Sequence, residues 1–212
     1  MNRKTAESIL EELNKLYPHT EDDINFLQFR NPFEILIMTI LSAQTTDVII
    51  NSIRDELFEK YPDAQALSQA NQVDVEKIIH SAGYYHAKAK NIIATSKMLC
   101  EKFNGVVPDT IEELILLPGV GRKTANIVTN HAFHKTLGIA VDTHVGRLSQ
   151  KIGFSNNTTP EKIEQDLMKL FDKKDWYQVN FLLISHGRAV CNAKKQDCSS
   201  CTIRNMCKSN NS

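Results

Sequence analysis

The sequence predicts an all-α protein, and three observations carry that expectation. Apolar residues recur every three or four positions along most of the 212 residues, helix-starting residues stand directly ahead of several of these runs, and one short stretch alone, "GIAVDT" at 138–143, reads as extended.

The first helix is read from Ile9, Leu13 and Leu16. "NPFEILIMTILSAQ" opens with Asn31 as N-cap and Pro32 as first helical residue, where a missing N–H is harmless. Further helices are expected at about 46–60, 87–103, 110–116, 122–133, 160–171 and 175–190, and another begins behind Asp142. Gly, Pro and Asn gather at 104–108 and 155–160, but no linker or low-complexity segment divides the chain.

A chain of this length buries one good core or two small ones, so one or two compact domains are expected. The N-terminus "MNRKTAESILEELNKLY" is charged and amphipathic, unlike a secretory signal, and reads as retained. The strongest apolar run, Ile35 to Leu41, is far shorter than the roughly 20 residues that cross a bilayer. A soluble cytoplasmic protein is expected, with no membrane partner.

Lys plus Arg equals Asp plus Glu at 25 each, so net charge is no sign of a nucleic-acid binder. Its distribution is uneven. Residues 1–63 hold 6 basic and 12 acidic side chains, residues 77–151 hold 10 and 5, and residues 188–212 hold 5 and 1. Such asymmetry ordinarily marks solvated faces; it gains meaning because both basic segments contain a motif.

Four of the five cysteines, Cys191, Cys198, Cys201 and Cys207, form C-x6-C-x2-C-x5-C. With no secretion signal, disulfides are disfavoured, and four thiolates within 17 residues suit a metal ion or an iron–sulfur cluster. Spacing alone leaves zinc and iron both open. "NAKKQD" would bulge from such a site, presenting Lys194 and Lys195, with Arg188, Arg204 and Lys208 nearby, to phosphates. Cys100, inside an amphipathic helix, reads as a small core residue.

"LPGVGRKTA" at 117–125 carries the second motif. Pro118 ends one helix, while Gly119, Val120 and Gly121 form a hairpin ahead of a helix from Arg122. A helix-hairpin-helix of this kind grips a nucleic-acid backbone through main-chain N–H groups and the positive end of the helix, indifferent to base sequence. Lys123 follows. A lysine attacks carbon only when uncharged, and a helix start, Arg122 and partial burial would all push its pKa downward. A randomly chosen lysine is ordinarily a solvated bystander, so a second group is needed. "AVDTHVGR" supplies Asp142, which could cap a helix, assist a developing sugar cation, or do both; His144 is left unassigned.

"LSAQTTD" at 41–47, "GYYHAKAKNI" at 83–92, "LPGVGRKTANIV" at 117–128, "VDTHV" at 141–145, "HGR" at 186–188 and the cysteine array stand in one order along the chain. Together they resemble the endonuclease III family, bifunctional DNA glycosylases of the helix-hairpin-helix superfamily. The resemblance implies a six-helix domain of about residues 24–135. It implies a second helical domain, from residues 1–23 and 136–212, carrying a [4Fe-4S] cluster on the four cysteines, with double-stranded DNA in the cleft between the two. It implies base-excision repair of oxidised pyrimidines by a monomer. Lys123 would be the nucleophile that forms an imine and then cuts the abasic site by β-elimination, and Asp142 the assisting carboxylate. Gln44 would enter the base stack; Tyr84 stands where this family commonly carries an aliphatic wedge.

Three other readings compete. An adenine glycosylase of the same superfamily shares the array and hairpin, but usually lacks a lysine at the position of Lys123 and has a further C-terminal domain, whereas this sequence runs five residues past Cys207. A noncatalytic DNA-binding module would use the hairpin alone. An electron carrier would explain the cysteines but neither Lys123 nor the glycines.

Overall fold

The computed structural model describes residues 1–19 and 26–210, and the described chain folds into two compact units, Met1–Ile24 with Gly138–Ser212, and Asn25–Leu137. A boundary expected near residues 23 and 24 lies outside the described residues.

In the second of these units, α2 (Pro32–Leu41) is the central element. Asn31 accepts the Glu34 N–H at 2.9 Å, Pro32 begins the helix, and every residue from Phe33 to Leu41 is buried. A helix apolar on all sides has no solvent face to offer, so it must be wrapped by others. Each fully buried Leu or Ile contributes about 1.5–3 kcal/mol, and Ile35, Leu36, Ile37 and Leu41 are completely covered. Glu34, also buried, accepts from the Arg30 backbone and side chain, which satisfies its charge.

Around it stand α3 (Asp47–Lys60), α4 (Ala64–Ser68), α5 (Gln72–Ile78), α6 (Tyr85–Phe103), α7 (Ile111–Leu114) and α8 (Arg122–Phe133). Helices α3, α6 and α8 pack on α2, so the helix behind the glycine hairpin is anchored to the centre of its unit. Sequence periodicity misses α4 and α5, which are five and seven residues long. Their caps are visible in the sequence: Asp63 accepts from Ala66 N, and Asn71 from Val73 N. Cys100 packs against this core, as expected.

The other unit holds α1 (Arg3–Leu16), α9 (Thr143–Ile152), α10 (Pro160–Leu170) and α11 (Trp176–Ala189), followed by the cysteine loop and two 3-10 turns. Helix α1 buries Ala6, Ile9, Leu10 and Leu13, but Leu16, at its last position, is 41% exposed. Helix α11 packs on both α1 and α9. Gly187 permits the close approach to α9, since a methyl group there would lie 3.0 Å from the His144 ring and 3.1 Å from the Arg147 guanidinium.

The stretch 138–143 is not a strand, and Thr143 opens α9; among the described residues no strand occurs, and Cys191 and Gln196 form an isolated antiparallel bridge. Ile139, Ala140 and Val141 are buried instead as an irregular segment, and Asn180 of α11 donates to the Ala140 carbonyl at 2.7 Å, doing for that carbonyl what a partner strand would do. No described helix is long and apolar enough to cross a membrane.

Candidate active site and cysteine centre

The hairpin between α7 and α8 is fixed from beneath. Leu117 and Val120 are buried, Val120 N donates to the Leu117 carbonyl at 3.1 Å, and Thr95 of α6 donates its hydroxyl to the Pro118 carbonyl at 2.6 Å. Its two glycines do different work. Gly119 has φ +79°, and a methyl group there would meet the Asn91 side chain at 3.0 Å, so both backbone and space demand glycine. Gly121 has an ordinary φ of −96°, and a methyl group there would meet nothing within 4 Å. What its bareness leaves open is approach from outside.

Gly121 is the N-cap of α8, and no side chain caps that end of the helix. The partial positive charge there is left for a guest. Arg122 and Lys123 are the first two helical residues, and Lys123 is exposed. The partial burial expected of this lysine is therefore absent in the protein without DNA, because the second helical position projects over the turn ahead of it, away from the packed face of Ala125, Val128 and Thr129.

Asp142 is the N-cap of α9. Its Oδ1 accepts the Val145 N–H at 2.8 Å, and its Oδ2 lies 3.6 Å from His144 Nδ1. Capping thus occupies one carboxylate oxygen.

Two further predicted DNA contacts stand on neighbouring loops of the Asn25–Leu137 unit. Gln44, between α2 and α3, is exposed with φ 55°; Tyr84, the residue before α6, is 72% exposed with φ 59°. A methyl group on Gly83 would touch the Gln44 carbonyl and the Thr45 hydroxyl at 3.8 and 3.9 Å, so the loops lie side by side.

All four C-terminal cysteines line one cavity of about 120 Å³, together with Ile152, Ile203 and His186. The loop from residue 192 to 197 is closed by the Cys191–Gln196 bridge and by Asp197 N donating to the Val190 carbonyl, which leaves Lys194 and Lys195 exposed at its tip. Arg147 donates to the Cys191 carbonyl at 2.8 Å, and Cys207 Sγ lies 3.5 Å from the Lys151 carbonyl. Burial pushes the Cys191 and Cys201 thiols above their ordinary range, a penalty that a bound cation would reverse. The donor set fits a thiolate-held metal group. Among the described residues, no three His, Cys, Asp or Glu side chains are grouped to hold a single ion.

Residues 37–173 match the family described as HhH-GPD superfamily base excision DNA repair protein. Endonuclease III of Synechocystis sp. is 45% identical over 98% of this chain and 93% of its own length, and that of Escherichia coli is 39% identical over 98% and 96%. The chain belongs to the endonuclease III family. Among solved structures, a trapped endonuclease III–DNA covalent intermediate, an estranged-adenine complex, superposes with a TM-score of 0.91 at 39% identity, covering 100% of this chain and 98% of the other. As an endonuclease III family member, the protein is a base-excision DNA repair enzyme, a DNA glycosylase and abasic-site lyase.

Two residues of this family member carry no assignment from the sequence. His186 is 1% exposed; its Nδ1 lies 3.1 Å from the Tyr17 hydroxyl and its Nε2 3.6 Å from Cys201 Sγ. Burial holds its pKa below the usual histidine range. When Tyr17 donates to Nδ1, the Nε2 proton faces the sulfur. The available signal is the position of His186 five residues ahead of Cys191. The other is Lys88, buried at 5% exposure on α6, whose Nζ donates to Thr45 Oγ1 at 2.7 Å.

Proposed function

We propose that this enzyme removes oxidised pyrimidines from double-stranded DNA and cuts the strand at the resulting abasic site, with Lys123 as nucleophile for both. The observation that carries the proposal is an exposed primary amine one residue inside an uncapped helix N-terminus, behind exposed Gly119 and Gly121, in a chain 39% identical to a protein trapped covalently on DNA. The hairpin amides and the α8 terminus hold phosphate oxygens, a contact that fixes position without reading bases.

The damaged nucleotide leaves the duplex, because its sugar carbon is unreachable within the stack. Gln44 fills the gap and Tyr84, with its exposed ring, stacks beside it. DNA covering the α8 terminus removes water from around Lys123, and the uncharged amine supplies the lone pair. That pair attacks the anomeric carbon; the carbon–base bond breaks, and its electrons leave with the base, which takes up a proton. Ring opening gives a protonated imine between Nζ and the sugar. Loss of a proton from the adjacent carbon then expels the 3′-phosphate, and hydrolysis of the imine restores the amine.

Asp142 keeps one oxygen on Val145 N, and the other is available to offset the positive charge that develops on the sugar. Cys191, Cys198, Cys201 and Cys207 would hold a [4Fe-4S] cluster, a reading supported by membership of the endonuclease III family and by an all-thiolate donor set around one cavity. Held there, the group would supply structural bracing by tying these four cysteine positions together. The loop bearing Lys194 and Lys195 is thereby braced for phosphate contact. The protein acts as a monomer on its DNA.

A duplex with one thymine glycol, incubated with enzyme and borohydride, tests the proposal. Nicking and a covalent adduct are expected from the native protein and neither from Lys123→Gln. An adduct that persists in that variant removes Lys123 from the mechanism.

A further inference from the structure

Gln44 and Tyr84 share an unusual backbone state. Among the described residues four other than glycine have positive φ: Gln44, Tyr84, Asn104 and His134. Asn104 and His134 end α6 and α8, where the left-handed state is an ordinary way to stop a helix. Tyr84 instead stands ahead of α6, and Gln44 lies in the turn between α2 and α3, both exposed to solvent. A side chain other than glycine occupies it only when its surroundings hold it there.

Lys88 touches both loops. Its backbone N–H makes the ordinary first-turn bond of α6 to the Tyr84 carbonyl at 3.1 Å, and its side-chain Nζ donates to Thr45 Oγ1 at 2.7 Å, beside Gln44. The side chain is buried, and no carboxylate of a described residue is paired with it. A buried ammonium with a neutral hydroxyl as partner is a costly arrangement for packing alone, since an aliphatic side chain would fill the space without desolvating a charge. Burial lowers its affinity for the proton, in keeping with that cost.

We propose that Lys88 is a positioning residue, stapling the Gln44 loop to the Tyr84 loop so that both exposed side chains are held ready before DNA arrives. The inference rests on the DNA-inserting roles given above to Gln44 and Tyr84. Preformed loops need not be ordered on binding, so the staple acts on the step in which the damaged nucleotide is replaced in the stack. It contributes nothing to chemistry at Lys123.

Lys88→Met removes the ammonium at nearly constant volume, and Thr45→Val removes the hydroxyl at a partly exposed site. Amide hydrogen exchange in the DNA-free protein reads the loop directly, because Thr45 N donates to the Ser42 carbonyl at 3.0 Å and is protected only while the turn holds. Each variant is expected to speed Thr45 exchange about tenfold, the scale of one charge-assisted hydrogen bond, with the α2 amides unchanged. Each is also expected to slow removal of thymine glycol about tenfold while cutting a preformed abasic site within threefold of the native rate. The double variant is expected to match the single ones, as two ends of one bond must. Unchanged Thr45 exchange in both variants, or effects that add in the double, overturns the staple. Faster exchange in a protein whose native form removes no lesion upholds the staple and overturns the functional reading instead.

Discussion

The cap that Asp142 forms and the catalytic role proposed for it can be separated by substitution. Its Oδ1 caps α9 through Val145 N at 2.8 Å, and replacing a capping side chain by alanine costs about 1 kcal/mol. Its charge at the same helix end contributes a further 0.3–1 kcal/mol or so. Asp142→Ala loses both, about 1.5–2 kcal/mol, which in a protein of this size lowers Tm by about 3–8 °C. Asp142→Asn keeps an oxygen in the capping position and loses only the charge, so Tm falls by about 1–4 °C. On the proposed mechanism, base removal depends on charge rather than on the cap. Both variants are therefore expected to lose about 100-fold or more in single-turnover release of thymine glycol, with DNA affinity within threefold of native. Calorimetry and gel-resolved excision measure the two effects side by side. An Asn variant that releases the base at near the native rate, or rates that follow Tm across the pair, would refute the catalytic role and leave Asp142 a cap.

The hairpin glycines make a matched pair. Gly119→Ala is expected to destabilise by about 1–3 kcal/mol in denaturant melts, from its left-handed φ and the Asn91 contact, while Gly121→Ala stays within about 0.5 kcal/mol yet weakens duplex binding several-fold. Removing Lys194 and Lys195 together is expected to reduce the slope of log affinity against log salt by about 2, measured by fluorescence anisotropy, and an unchanged slope excludes them from phosphate contact. Burial, and then His134, depress the pKa of His131 from 6.5 to about 4. A neutral form favoured by folding stabilises fully above the unfolded value and loses that stability as pH falls through 6.5 towards about 4. His131→Gln is therefore expected to flatten the loss of Tm between pH 6.5 and 5, seen in acid titrations of thermal unfolding.

The legible part of the fold is the part written in neighbouring residues. Asn31 and Pro32 start α2 where their chemistry indicates, and the hairpin helix spans Arg122–Phe133 as its periodicity predicts. Helices α4 and α5 escape the pattern because segments of five and seven residues contain too little of the helical period to register. The stretch 138–143 reads as extended from its apolar residues, but Thr143 opens α9, and burial of Ile139 to Val141 with Asn180 donating to the Ala140 carbonyl needs no strand. Partial burial is expected of Lys123, and its exposure follows from which face of α8 meets α2, a fact absent from its local sequence.

The sequence by itself determined the all-α class, the glycine hairpin with its lysine, and the cluster of four thiols, since each depends on residues a few positions apart. Only the tertiary structure decided that Lys88 reaches Thr45 across 43 residues, and that Tyr17 meets His186 across 169, beside the cysteine cavity. Capping and helical period act within about four residues and leave a local trace. Burial and distant hydrogen bonds exist only once the chain has closed its loops, and those partners are chosen by packing rather than by neighbours.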